Sequence, residues 1–130
     1  MGAVAGGLGI IDVGQVAVNV KDVARATAFY RDVLGLPFLF EIPQAAFFQC
    51  GPLRLMLGKA EEARFDHPAG ILYYRVPDIH AAHDALRAAG APIEREPHLL
   101  AKMETYDLWM LFFRDSEDNV AALMSEVARS

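Results

Sequence analysis

A chain of 130 residues with 54% hydrophobic side chains is long enough and apolar enough to bury its own core, which sets aside intrinsic disorder. Its formal charge of −5 and pI near 5.3, with Lys and Arg scattered singly, leave no basic stripe for a phosphate backbone, so a nucleic-acid partner is excluded. The one cysteine, Cys50, cannot form an internal disulfide; nothing demands an oxidising compartment and a cytoplasmic location is expected.

Met1 to Asp12 is apolar and glycine-rich but lacks the basic start and small-residue cleavage pattern of a secretion signal. It reads as a flexible arm, or as an extra edge strand at a subunit contact. No stretch of about 18 uncharged apolar residues follows, so no membrane partner is expected. Val16-Ala-Val18-Asn-Val20 alternates β-branched residues as a strand does, and Asp22 suits the N-cap of the helix after it. Val23, Ala26, Tyr30 and Val33 fall at helical spacing, with Gly35 as the C′ residue. Three apolar runs of strand length follow, Leu36 to Ile42, Ala45 to Cys50 and Leu53 to Leu57, separated by Pro43-Gln44 and Gly51-Pro52.

After a polar connection, Lys59 to Gly70, the order recurs. A strand runs from Ile71 to Val76, and a helix opens at Asp78 with Ile79, Ala82, Leu86 and Ala89 as its apolar stripe and Gly90 at its end. Strands follow at Pro92 to Glu96, Tyr106 to Phe113 and Val120 to Ser125, the last two joined by a turn at Asp115 to Asn119. The two halves match residue for residue in places: Val20 and Val76 stand 56 positions apart, and Asp22/Asp78, Ala26/Ala82 and Arg31/Arg87 keep that period. A repeat this long means two similar supersecondary units sharing one core, with function expected between them.

The double βαβββ order, with GQVAVNVKDVARATAFYRDVLGL, CGPLRLML, YYRVPDIHAAHDALRAAGAPI and FFRDSEDNVAALMSE in sequence, resembles the vicinal oxygen chelate superfamily of glyoxalases, bleomycin-resistance proteins and extradiol dioxygenases. The resemblance covers about residues 13 to 127. It implies an α+β fold in which two βαβββ modules, 13–66 and 67–127 of a single domain, form half-barrels around a cavity, and a homodimer.

Metal-dependent members of that superfamily hold a divalent ion with His, Gln or Glu from the first and last strands of each module. By position those sites fall on Gln15, on Leu55 or Met56, on Ile71 and on Ala122. Only Gln15 has a ligating atom there, and one neutral carbonyl leaves a cation hydrated. The resemblance therefore implies a small-molecule-binding protein with a degenerate metal centre and no cofactor. Its rival is a lyase, isomerase or dioxygenase using a rearranged set such as Gln15, His98 and Glu104, or metal-free acid–base chemistry at His98; a protein-interaction module is the reading from another class.

The residues expected at a ligand are Gln15, Phe48, Arg54, Met56, Tyr73, Trp109 and Phe112, with His98 as the candidate catalytic group. Gln15 is the best single candidate. Phe47 and Phe48 raise the same question of core against cavity, as do Trp109 and Phe112, whose strand is apolar on both faces. Arg54, flanked by Leu53 and Leu55, either lies at a sheet edge, the plainer reading, or reaches a ligand anion. His98 follows Pro97 and reads as an exposed loop residue unless it reaches the cavity mouth. His80 and His83 share a helix at a metal-compatible spacing but lack a third ligand, His67 and Glu61-Glu62 read as surface groups, and Cys50 as a small buried hydrophobe.

Overall fold

The computed structural model describes residues 7–60 and 70–129. The polar connection with Glu61-Glu62 and His67, and the first six residues of the N-terminal arm, lie outside the described residues. In chain order the elements are β1 (Gln15–Asn19), α1 (Val23–Ala28) with a π-helical segment (Phe29–Val33), β2 (Phe38–Ile42), β3 (Ala45–Cys50), β4 (Leu53–Gly58), β5 (Tyr73–Arg75), α2 (Ile79–Ala88), β6 (Ile93–Lys102), β7 (Tyr106–Arg114) and β8 (Val120–Ala128). They form two four-stranded sheets, β1-β4-β3-β2 and β5-β8-β7-β6, each with its first strand parallel to its last. This is the expected α+β fold of two βαβββ modules.

The repeat is visible at both helix starts. Asp22 and Asp78 have the same extended backbone, φ −136°, and each carboxylate accepts from the first turn: Arg25 N–H at 3.0 Å, and His80 and Ala81 N–H at 3.0 and 3.1 Å. Gly35 and Gly90 close the helical segments at φ +74° and +80°, a conformation that strains any residue with a Cβ.

Two expectations are corrected. The first helix is not α-helical to its end: Leu34 N–H bonds to Phe29 C=O, a five-residue reach that widens the last turn. That wide turn places Phe29 and Leu34 against the cores of both modules and points the Tyr30 hydroxyl at Asp115. The strand expected at 92 to 96 instead runs on to Lys102, with register shifts around Pro97, so His98 stands on a strand rather than in a loop. Pro97 is tolerated because β6 is an edge strand and the shift spares the ladder its missing N–H.

Each sheet packs one face on its helix. Val18, Val20, Ala46, Phe48, Leu55 and Leu57 bury under α1, while Leu111, Phe113, Ala121 and Leu123 bury under α2. The turn between β7 and β8 ties module two to module one. Glu117, buried in that turn, accepts from the backbone N–H of Lys21 (2.8 Å) and Asp22 (2.9 Å) and from the Arg25 guanidinium (2.7 and 3.0 Å). Beside it Asp115 accepts from the Tyr30 hydroxyl at 2.6 Å and from the N–H groups of Glu117 and Asn119, while the Asn119 amide donates to Asn19 C=O.

Candidate functional site

Alternation along the strands assigns the face of each sheet turned away from its helix. In the first sheet that face carries Gln15 and Ala17 of β1, Arg54 and Met56 of β4 and Phe47 of β3, because their strand neighbours are the core residues under α1, and Phe40 of β2, which a register shift pairs with Phe47. Phe48, expected at a ligand, belongs to the other set. It is fully buried between Tyr30 and Phe38, with ring centroids 6.2 and 5.6 Å away, and Phe47 takes its place on the open face. Arg54 is not at a sheet edge: β4 lies between β1 and β3, so its exposed side chain rises from the interior of the sheet.

Parallel pairing of β1 with β4 sets Gln15 opposite Arg54, and Arg54 Nε donates to Gln15 Oε1 at 2.6 Å. The guanidinium carbon lies 5.6 Å from the centroid of the Phe47 ring, within reach of its π face. Phe40 stacks on the same ring at 4.4 Å and 16°. The open face of module one is thus an aromatic and thioether surface carrying one amide–guanidinium pair.

In the second sheet Tyr73, Ala122, Met124, Met110, Phe112 and His98 share the corresponding face. Tyr73 is half exposed and meets Phe112 edge-on at 6.0 Å. His98 stands opposite Met110; its Nδ1 is 2.9 Å from Glu96 C=O, and its Nε2 is buried with no hydrogen-bond partner among the described residues. Trp109 is on the opposite, helix side of β7, its ring 5.3 Å from His80, and so is not brought together with Tyr73 and Phe112. His83 is buried in the α2 stripe.

A cleft of about 410 Å³ lies between the modules, lined by Leu34, Leu36, Cys50, Pro52, Tyr73 and Tyr74 among others. Tyr74 is half-buried in that wall, with Tyr30 beside it. Burial, with Cys50 and Asp115 adding to it, pushes its phenol well above the ordinary range; Tyr30 is raised still further by burial, with Tyr74 and Asp115 adding to it. Burial also raises the half-buried Cys50 thiol. Both tyrosines are therefore neutral, and Tyr30 donates to Asp115. The repeat points to the space between the halves, but no local motif marks the walls of this cleft, which come from the end of the first helix, the β3–β4 turn, β5 and β8.

The four positions at which metal-dependent relatives place their ligands do not fit a divalent ion. Ala122 offers a methyl group and Ile71 a hydrocarbon chain, Leu55 is in the core and Met56 brings a thioether. Gln15, the remaining donor, has its carbonyl oxygen against a guanidinium, whose positive charge opposes a second cation there. Among the described residues no three His, Cys, Asp or Glu side chains gather as a metal site, and no helix is long and apolar enough to cross a membrane.

Solved structures share the fold. A glyoxalase/bleomycin resistance protein/dioxygenase superfamily member from Sphaerobacter thermophilus aligns with a TM-score of 0.76 at 20% identity over 90% of this chain and 98% of its own. Lactoylglutathione lyase from Agrobacterium tumefaciens aligns at 0.70 and 22% identity over 90% and 95%. The fosfomycin resistance protein FosX from Listeria monocytogenes aligns at 0.71 and 14% identity over 89% and 93%. A comparison with curated proteins finds no match. Residues 12–123 match the family model of the Glyoxalase/Bleomycin resistance protein/Dioxygenase superfamily, and the chain belongs to that superfamily.

Proposed function

We propose that this chain is a small-molecule-binding member of its superfamily that works without the divalent ion of the metal-dependent members, as a cytoplasmic homodimer. One observation carries the reading: the single ligating side chain at the four metal positions, Gln15, bonds Arg54 through the oxygen that would face an ion. Loss of that ion removes the Lewis acid on which glyoxalase or extradiol chemistry depends, while the open faces and the cleft between the modules keep the apolar surface with a few polar groups that a ligand site needs. Leu39 and Ile42 on β2, and Leu99 and Leu100 on β6, leave both outer sheet edges apolar and exposed, which supports their covering by a second copy.

The test is elemental analysis after incubation with manganese, iron, nickel and zinc followed by desalting. The protein is expected to retain no metal. Near-stoichiometric retention that Gln15→Ala abolishes would overturn the reading.

The unpartnered Nε2 of His98 favours one alternative, an enzyme of the same fold using that imidazole for proton transfer, alone or with Gln15 and Glu104 around an ion. Turnover of any substrate that survives His98→Ala unchanged would remove it.

A further inference from the structure

The charge left on the open face of module one identifies the class of ligand. Arg25, Arg31, Arg75, Arg114 and Arg129 each have a carboxylate within ion-pair distance; among the described residues Arg54, Arg87 and Arg95 have none, and of these three Arg54 is the one on the open face of the first sheet. Its hydrogen-bonding partner is a neutral amide. Because a guanidinium can only donate, the Gln15 oxygen must be the atom turned towards it. The pair then presents nothing but N–H groups outward, the two Nη of Arg54 and the Nε2 of Gln15.

A donor-only surface on a positive charge suits an anion with two or more oxygens in one plane and repels a cation. The Nε bond to Gln15 and the Phe47 ring hold the guanidinium in place, so little side-chain freedom remains to be lost when a ligand arrives. Beside it Phe40, stacked on Phe47 and 44% exposed, offers the free face of an aromatic ring two strands away from Arg54, about 10 Å across the sheet. The Phe47 ring, 4.4 Å from Phe40 and 5.6 Å from the guanidinium, fills the interval on β3.

We propose that the helix-free face of the first sheet binds a planar aromatic carboxylate, its ring on Phe40 and its carboxylate on the paired N–H groups of Arg54 and Gln15. The inference rests on the reading of the chain as a small-molecule binder and names the ligand class for that site. A fixed organic cation thus stands where metal-dependent relatives gather ligands for an inorganic one, and it selects the same kind of oxygen-rich group without Lewis-acid chemistry.

Calorimetric titration of the full chain with 2-naphthoate, and with 2-naphthamide as its neutral counterpart, tests this. Naphthoate is expected to bind at least about 10-fold more tightly than the amide, as charge-assisted hydrogen bonds imply. Arg54→Gln is expected to erase that preference, Gln15→Glu to abolish naphthoate binding by pairing the guanidinium internally, and Phe40→Ala to weaken both ligands alike. All three side chains are exposed, and unchanged thermal unfolding would show that the variants fold.

Equal affinities that Phe40→Ala lowers and Arg54→Gln leaves alone would overturn the anion assignment while leaving a small-molecule site on this face. Failure of both naphthyl probes to bind would also overturn it. Failure of a broad panel of flat neutral and cationic ligands as well would bring down the small-molecule reading itself.

Discussion

Replacing Glu117 with Gln tests whether its charge joins the two modules. The carboxylate belongs to the β7–β8 turn, yet its donors are Lys21 N–H, Asp22 N–H and the Arg25 guanidinium, all of module one, together with the neighbouring Ser116 hydroxyl. Burial works against its ionisation, but the bonds from Arg25, Asp22, Lys21 and Ser116 prevail and hold the carboxyl at about 2 against an ordinary 4.5. At 1.36 kcal/mol per pH unit that displacement corresponds to about 3 kcal/mol of stability, and because Arg25 is half exposed, screening by water trims it to about 2 kcal/mol. A lowered carboxyl pKa stabilises the folded state above the unfolded value, so the contribution is complete above about pH 4.5 and fades as the pH falls towards 2.

Glu117→Gln keeps one acceptor for the backbone N–H groups but turns an amide towards Arg25 and removes the charge. Urea unfolding of both proteins is expected to show the variant less stable by about 2 kcal/mol at pH 7, and the gap to shrink by about half at pH 3. Carboxylates elsewhere titrate in both proteins and cancel in the difference. No gap at pH 7 would refute the clamp, and a gap of constant size down to pH 3 would show that shape rather than charge holds the modules together.

Phe48→Ala is expected to cost about 3–5 kcal/mol of stability by urea unfolding, as a cavity in the core under α1 requires, whereas Phe47 and Phe40 line the other face. A change under 1 kcal/mol would contradict its placement. Asp118 holds φ +68° in the β7–β8 turn, and Asp118→Gly relieves that strain while giving up only a largely exposed pairing with Arg114. Thermal unfolding should show a gain of about 0.5 kcal/mol, and a loss would mean that the Asp118 side chain matters more than its backbone.

The secondary elements were legible because the chain states them twice, each helix opened by Asp and closed by Gly. What escaped was register. The two-residue turn Gly51-Pro52 pairs Cys50 with Leu53, and counting back sets Phe48 opposite Leu55 and Phe47 opposite Met56. With Val16, Val18 and Val20 marking the helix side of β1, that count would have sorted Phe47 from Phe48; what it lacks is the parallel register of β1 on β4, which brings Val16 beside Leu55 across 39 positions of chain. The same register brings Gln15 to Arg54, so the feature of most chemical consequence arises from a crossover that no local pattern encodes. Trp109 and Phe112 were ambiguous for a related reason: both faces of β7 are apolar, and only the seat of α2 decides between them.

The repeat is most informative where it breaks. The β3–β4 turn of module one has two central residues, while its counterpart in module two, Asp115 to Asn119, is longer, folds the carboxylates of Asp115 and Glu117 inward onto Tyr30 and the start of α1, and donates from the Asn119 amide to Asn19 C=O. If the modules were true equivalents, the short turn would make the reciprocal grip on α2. It carries no carboxylate with which to do so, and Cys50, Gly51 and Pro52 instead form one wall of the cleft whose other wall is β5. One turn therefore fastens the halves and the other leaves them apart, and the asymmetry opens the cleft on the side where no clamp holds. Shortening the Asp115–Asn119 turn to two residues would remove the fastening without closing that cleft, because the donors it satisfies at Lys21 and Asp22 have no second acceptor among the described residues.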